Sequence, residues 1–131
     1  MNPYIIKAIL GGIAGTLMML MLGNIMGDIY AMGLTAHIMF GILVFPLIYA
    51  LLVYRFLPGV PLLKGLSWGL ILWLIDETLV MPMAGAGFFM SEIGGMKAVM
   101  AALMGHLVYG GLLGVIAGRA DSCCSVDRSL A

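Results

Sequence analysis

Apolar side chains fill four long stretches of the chain, separated by short segments rich in glycine, proline or charged residues. The stretches cover residues 5–26, 36–54, 66–83 and 98–117. Each is close to the roughly 20 residues that an α-helix needs to cross about 30 Å of bilayer hydrocarbon. Pro46 lies inside the second stretch, where we expect it to kink the helix. The pattern predicts an all-α fold, an antiparallel transmembrane bundle of four helices.

The composition supports a lipid environment, since hydrophobic residues make up 63% of the 131 residues and charged residues only 9%. Soluble domains carry about 25% charged residues, which keep their surfaces hydrated. We therefore expect one transmembrane domain over residues 1–120 and a short polar cytoplasmic tail over residues 121–131. Cys123 and Cys124 are adjacent in that tail, so a disulfide bond between them would not cross-link the fold. The formal net charge is zero, so no basic excess indicates binding to nucleic acid.

The basic residues predict how the chain is oriented in the membrane. If four helices cross, most lysines and arginines fall on one side: Lys7, Arg55, Lys64, Arg119 and Arg128. Lys97 falls on the opposite side. The positive-inside rule then puts both termini in the cytoplasm. We expect a multi-pass protein of a bacterial inner membrane.

Glycines recur at intervals of four residues, which places them on one face of a helix. They form the sets Gly11 and Gly15, Gly65 and Gly69, and Gly110, Gly114 and Gly118. Residues this small let another backbone approach closely. We expect the first, third and fourth helices to pack through these positions, within the bundle or against another subunit.

Two segments resemble each other, AHIMFGIL at residues 36–43 and GHLVYGGL at residues 105–112. Each belongs to a helix that returns from outside to inside. The similarity indicates two helical hairpins repeated in parallel about an axis along the membrane normal.

Motifs along most of the chain resemble an uncharacterised family of small four-helix bacterial inner-membrane proteins, a domain of unknown function. The motifs are GGIAGTLMMLM, AHIMFG, FLPGVPLLKGLSWG, VMPMAGAGFF and GHLVYGGLLGVIAG. The resemblance extends over nearly all of the chain except the tail from Asp121. The resemblance implies a membrane location and a fold, and it supplies no function.

Asp76 and Glu77 lie side by side in the third apolar stretch. Ionisable groups at bilayer depth cost about 2.5–3.5 kcal/mol each on insertion scales, so they are candidates for function. On a helical wheel the two acids share a stripe with Trp73 and Val80. We expect this stripe to face the interior of the bundle.

His106 and Tyr109 share a face of the fourth helix, together with Gly110. We expect one of the two acids to contact His106 across the third and fourth helices. Asp76, Glu77, His106 and Tyr109 then form a polar site inside the membrane.

Three functions compete for these residues. In the first, the chain is a non-enzymatic accessory or structural subunit of a larger, plausibly respiratory inner-membrane assembly, or a homo-oligomer, in contact with the lipid bilayer. In the second, His37 and His106 are axial ligands of a haem b in an electron carrier. In the third, Asp76 and Glu77 serve a proton- or ion-coupled transporter. Structural hydrogen bonds inside the bundle would also account for both histidines.

Overall fold

The computed structural model of the protein describes residues 2–26 and 34–118. This part of the chain is 84% helical and contains four helices and no strand. Helix α1 covers Pro3–Met26, helix α2 covers residues 34–51, helix α3 covers Pro61–Met83 and helix α4 covers Gly95–Ala117. The predicted all-α fold with four helices is confirmed. The predicted polar tail, with Cys123 and Cys124, lies outside the described residues.

Helices α1, α3 and α4 are each long and apolar enough to cross a membrane. Helix α2 contributes a shorter apolar segment, His37–Leu51, because its last predicted residues form a separate 3₁₀ turn, Val53–Arg55. Helix α3 begins at Pro61, earlier than the predicted start at residue 66. Proline suits the first turn of a helix, since its fixed φ is helical and no N–H is needed there. Lys64 lies near this end of α3, and its ammonium group donates to the carbonyl oxygen of Tyr54 at 3.0 Å.

Helix α4 packs along both α1 and α3, whereas α2 packs mainly on α1. Helices α2 and α3 also meet through large side chains, and the rings of Phe45 and Trp68 lie 6.5 Å apart edge to face. The predicted equivalence of α2 and α4, as matching helices of two repeated hairpins, therefore does not extend to their packing.

The interface between α3 and α4 is formed by glycines on both sides. A Cβ atom built on Gly65 would come within 2.7 Å of the Cα atom of Gly114, and one on Gly110 within 2.8 Å of the Cα atom of Gly69. Real Cβ atoms do not approach so closely, so any side chain at these positions would push the two backbones apart. The α3–α4 register is fixed by this contact.

Helix α1 packs on α4 through Gly11 and Gly15. A Cβ on Gly11 would lie 3.0 Å from the Cα atom of Leu113, and one on Gly15 would lie 3.2 Å from that of Tyr109. Gly118, predicted to extend the packing face of α4, instead ends the helix. Its φ of 66° is left-handed, a conformation that glycine adopts without steric cost, and its N–H donates to the Gly114 carbonyl.

Helices α2 and α3 each contain one π turn, in which an N–H group donates to the carbonyl five residues earlier. In α2 the turn is Phe40–Val44, and the N–H of Phe45 donates to the Phe40 carbonyl. In α3 the turn is Asp76–Val80, and the N–H of Met81 donates to the Asp76 carbonyl. The next residue is a proline in both helices, Pro46 and Pro82. The sequence predicted a kink at Pro46, and the chain accommodates that proline with a wider helical turn.

Candidate polar site in the bundle interior

A small recess lies where the four helices meet. Its volume is about 20 Å³, and a water molecule needs about 10–15 Å³ on the same measure. Polar groups from three helices line it: Thr16 of α1, His37 and Gly41 of α2, and His106 and Tyr109 of α4. Helix α3 contributes the apolar side chain of Leu72. The recess can hold one water molecule or a proton.

Tyr109 joins α4 to the π turn of α2. Its hydroxyl group donates a buried hydrogen bond of 2.7 Å to the carbonyl oxygen of Gly41. This carbonyl lacks its usual helical partners, because the N–H of Phe45 donates to Phe40 instead and Pro46 has no N–H. The Tyr109 hydroxyl therefore satisfies the acceptor that the π turn and the proline leave open.

His106 is buried, with 8% of its surface exposed, and bonds within its own helix. Its Nδ1 atom lies 2.8 Å from the carbonyl oxygen of Ala102. Because a carbonyl oxygen only accepts, Nδ1 carries the hydrogen and Nε2 is left as an acceptor. This is the structural role that the sequence analysis left open for the histidines.

The expected contact between an acid and His106 does not form. A Cβ on Gly69 would lie 3.0 Å from the carbonyl carbon of His106, so His106 is level with Gly69 on α3. Asp76 lies seven residues further along, about 10 Å away at 1.5 Å per residue. The close glycine contact, which no helical wheel shows, sets this offset.

Asp76 instead interacts electrostatically with His37 of α2. Asp76 is half-buried, whereas His37 is more exposed. His37 also interacts electrostatically with His106 across the recess. His37 thus interacts with both the acid of α3 and the buried histidine of α4.

Glu77 is the most enclosed acidic side chain of the described residues, with 0% of its surface exposed. Neither of its carboxyl oxygens has a hydrogen-bond partner within residues 2–26 and 34–118. The indole N–H of Trp73 approaches the carboxyl group as a donor, although its buried Nε1 atom falls short of full hydrogen-bond geometry. The ring of Trp73 packs on that of Phe89, 6.0 Å away, in the segment that joins α3 to α4.

The predicted interior stripe on α3 holds only in part. Glu77 is buried and Trp73 and Asp76 are half-buried, but Val80 is exposed. The π turn adds a residue to the helix between Asp76 and Val80 and so rotates the following residues away from the stripe.

A haem b between His37 and His106 does not fit this packing, because the recess between them has room for about one water molecule. In the described part of the chain, no three side chains among histidine, cysteine, aspartate and glutamate come together as a metal site would require.

Two features of the site were missed from the sequence. One is the role of Gly41 and Thr16 in lining the recess. The other is the pair of π turns, for which a signal exists: LVFP at residues 43–46 and LVMP at residues 79–82. Each tetrad contains the end of a π turn and the proline that follows it.

The chain belongs to the family of unknown function DUF6789, whose model matches residues 20–126. This confirms the resemblance to an uncharacterised family. The matched residues differ from the expected ones, since they leave out most of the motif GGIAGTLMMLM and extend beyond Asp121. No curated protein and no solved structure matches the chain.

Proposed function

We propose that this member of an uncharacterised family is an integral membrane protein of a bacterial inner membrane, with four crossings and both termini in the cytoplasm. The length and composition of α1, α3 and α4 support this proposal. Large apolar side chains are exposed on the outer faces of the helices, for example Leu17, Leu43 and Leu74. Lipid would cover these faces at no cost, whereas water would not. Lys7, Arg55 and Lys64 at one end of the bundle support the orientation.

Inside this bundle, we propose that Glu77 binds and releases a proton. The supporting observation is its complete burial without a hydrogen-bond partner among the described residues. An unpaired carboxylate in an apolar interior is far more costly than a neutral carboxylic acid. The favoured state of Glu77 is therefore the acid, which becomes an anion only when it gives its proton to a neighbour.

The neighbours of Glu77 form a path of rising exposure. Glu77 is fully buried, Asp76 is half-buried and His37 is exposed. A proton leaving the Glu77 carboxyl group would pass to the Asp76 carboxylate and then to the His37 imidazole, leaving Glu77 as the anion. Each step moves one proton. The first moves the negative charge from Asp76 to Glu77, and the second restores the Asp76 carboxylate and makes His37 an imidazolium cation. The net charge of the three groups does not change. His37 also lines the small recess, whose volume suits a water molecule and not an organic solute.

The direct test is infrared difference spectroscopy of the full chain in liposomes while the pH is changed. We expect the carbonyl band of a buried protonated carboxyl group, and we expect Glu77→Gln to remove it. Glu92→Gln is the matched control, since Glu92 is an exposed acid of the outer loop. If the band is absent from the unmodified protein, or survives in Glu77→Gln, Glu77 does not hold the proton.

A second function, subunit of a larger membrane assembly, is favoured by one observation. Asp76 is only half-buried and His37 is exposed, although both belong to apolar helices. Ionisable groups facing lipid are costly, so a second copy or another membrane subunit would cover them favourably. Native mass spectrometry in mild detergent tests this: a monomer with no bound protein would contradict it. Nothing in the described residues points to a respiratory partner.

A further inference from the structure

A second, larger cleft opens at the end of the bundle opposite the acids. It has a volume of about 500 Å³ and lies between the start of α1, the end of α2 and the start of α3. Its polar lining includes Asn2, Tyr54, Arg55 and Lys64. Neither the recess nor Glu77 is part of this cleft.

Two positive charges face the cleft without a negative partner in the part of the chain that the structure describes. The Lys64 ammonium group donates to the Tyr54 carbonyl oxygen at 3.0 Å and lies 3.9 Å from the centre of the Tyr54 ring. Both contacts hold the charge in place and neither neutralises it. An ammonium group has three donors, so further donors remain for a ligand.

The acids of the described residues lie far from this cleft. Asp76 is 12 residues beyond Lys64 on α3, which corresponds to about 18 Å along the helix axis. Glu77 and Glu92 follow it in the chain, still further from the start of α3. Among the described residues, the charges that face the cleft are therefore those of Arg55 and Lys64, which favour an anion.

The shape of the surroundings indicates which anion fits. Arg55 presents a planar set of donors that matches the oxygens of a phosphate group. Apolar side chains are exposed beside the cleft, with Ile6, Leu51 and Leu52 between 40% and 60% exposed. A ligand with a phosphate head and acyl chains would satisfy both surfaces.

We infer that this cleft binds a phosphate-bearing anion, the headgroup of an anionic phospholipid. Basic recesses between transmembrane helices on the cytoplasmic side are suited to such headgroups. The assignment of the phosphate to a lipid rests on the proposed membrane insertion. The preference for a phosphate anion rests on Arg55 and Lys64 alone.

The experiment uses the purified full chain in a neutral detergent. Phosphatidylglycerol, phosphatidylcholine and inorganic phosphate are titrated separately, and bound ligand is counted by native mass spectrometry. We expect phosphatidylglycerol to bind on the order of tenfold more tightly than phosphatidylcholine, whose choline group would oppose the two cations, a difference of about 1.4 kcal/mol. Arg55→Gln should remove most of this preference, because the exposed guanidinium group supplies the phosphate donors.

Lys97→Gln is the control, since it removes an exposed cation at the opposite end of the bundle and should keep the preference. Equal binding of the two lipids, or an equal loss in Lys97→Gln, would overturn the inference. Displacement of phosphatidylglycerol by inorganic phosphate, also lost in Arg55→Gln, would keep the anion site and assign it to soluble phosphate. None of these results depends on proton transfer, so they are separate from the test of Glu77.

Discussion

The π turns of α2 and α3 have the same backbone and opposite surroundings. In both helices the second residue of the turn, Gly41 or Glu77, has a carbonyl whose usual partners are removed by the turn and by the proline five residues later. In α2 the hydroxyl of Tyr109 donates to that carbonyl. In α3 no side-chain hydrogen bond of the described residues ends on the carbonyl of Glu77. The side chain at that position is an acid whose oxygens have no partner in hydrogen-bond geometry.

This difference separates a structural use of the π turn from a chemical one. With glycine at the second position, the turn lets α1 approach, since a Cβ on Gly41 would collide with the hydroxyl oxygen of Thr16 on α1. With glutamate there, the turn places a carboxyl group in the interior without a partner. π turns are frequent at functional sites because the inserted residue redirects side chains and frees backbone groups. The second turn has the features of such a site.

The largest expected effect comes from the glycine contact that positions the second π turn. Gly110→Ala would put a Cβ within 2.8 Å of the Gly69 backbone, so α3 must move away from α4. We expect a loss of about 3 kcal/mol in the free energy of unfolding, at the upper end for overpacking because the obstacle is backbone. Thermal unfolding in detergent measures it.

The adjacent position, Gly111, provides the control for this substitution. A Cβ there would meet only the side chains of Leu66 and Leu62, at 3.5 and 3.7 Å. Gly111→Ala should therefore be neutral, or stabilising by about 0.5–1 kcal/mol through the helical preference of alanine. Equal effects at the two neighbouring glycines would show that the α3–α4 register does not depend on this contact.

The next effect tests the closure of the first π turn. Tyr109→Phe would leave the Gly41 carbonyl buried without a donor, and we expect a loss of about 2 kcal/mol in the free energy of unfolding. Tyr49→Phe is the matched control, because the Tyr49 hydroxyl is fully buried with no hydrogen-bond partner in the described chain. That change should cost nothing. A similar loss in both variants would mean that the Tyr109 bond does not close the turn.

The sequence was sufficient to predict the four helices, since each apolar stretch has the length and composition of one structural element. It also identified the glycines that pack α4, because residues four apart share a face in any helix. Gly118 was misassigned for a local reason: a glycine near a helix end serves equally as a packing position or as the left-handed residue that ends the helix.

The partner of Asp76 could not be predicted in the same way. A helical wheel gives the direction of a side chain but not its level relative to a neighbouring helix. Here that level depends on which α4 residues lie beside Gly65 and Gly69, a three-dimensional contact. The π turn then changes the direction as well, so that Val80 leaves the predicted stripe. The LVFP and LVMP tetrads could have indicated both turns, had the spacing of the two prolines been compared.

A smaller effect is expected from replacing Glu77 in the second π turn, and its sign shows whether this residue has a structural role. Glu77→Met keeps an unbranched side chain and removes a buried polar group that has no partner among the described residues. We expect a gain of about 1 kcal/mol in the free energy of unfolding, at the low end of the cost of burying an unpaired polar group. Chemical unfolding in detergent measures the gain. A loss of stability would mean that the carboxyl group has a stabilising partner, and the second turn would then be structural, like the first.

The smallest effect is expected from replacing the two prolines, which restores the missing N–H group after each turn. In Pro82→Ala, the new N–H can donate to the Glu77 carbonyl, which no described side chain satisfies, and we expect a gain of about 0.5 kcal/mol. In Pro46→Ala, the corresponding acceptor, the Gly41 carbonyl, is already bonded to Tyr109. That variant also loses the contact of the buried Pro46 ring with Gly12, so its stability should fall. Changes of opposite sign in the free energy of unfolding of the two variants would show that only one of the two carbonyl groups already has a hydrogen-bond donor. Because both prolines follow their π turns at the same spacing, equal signs would contradict the difference drawn between the two turns.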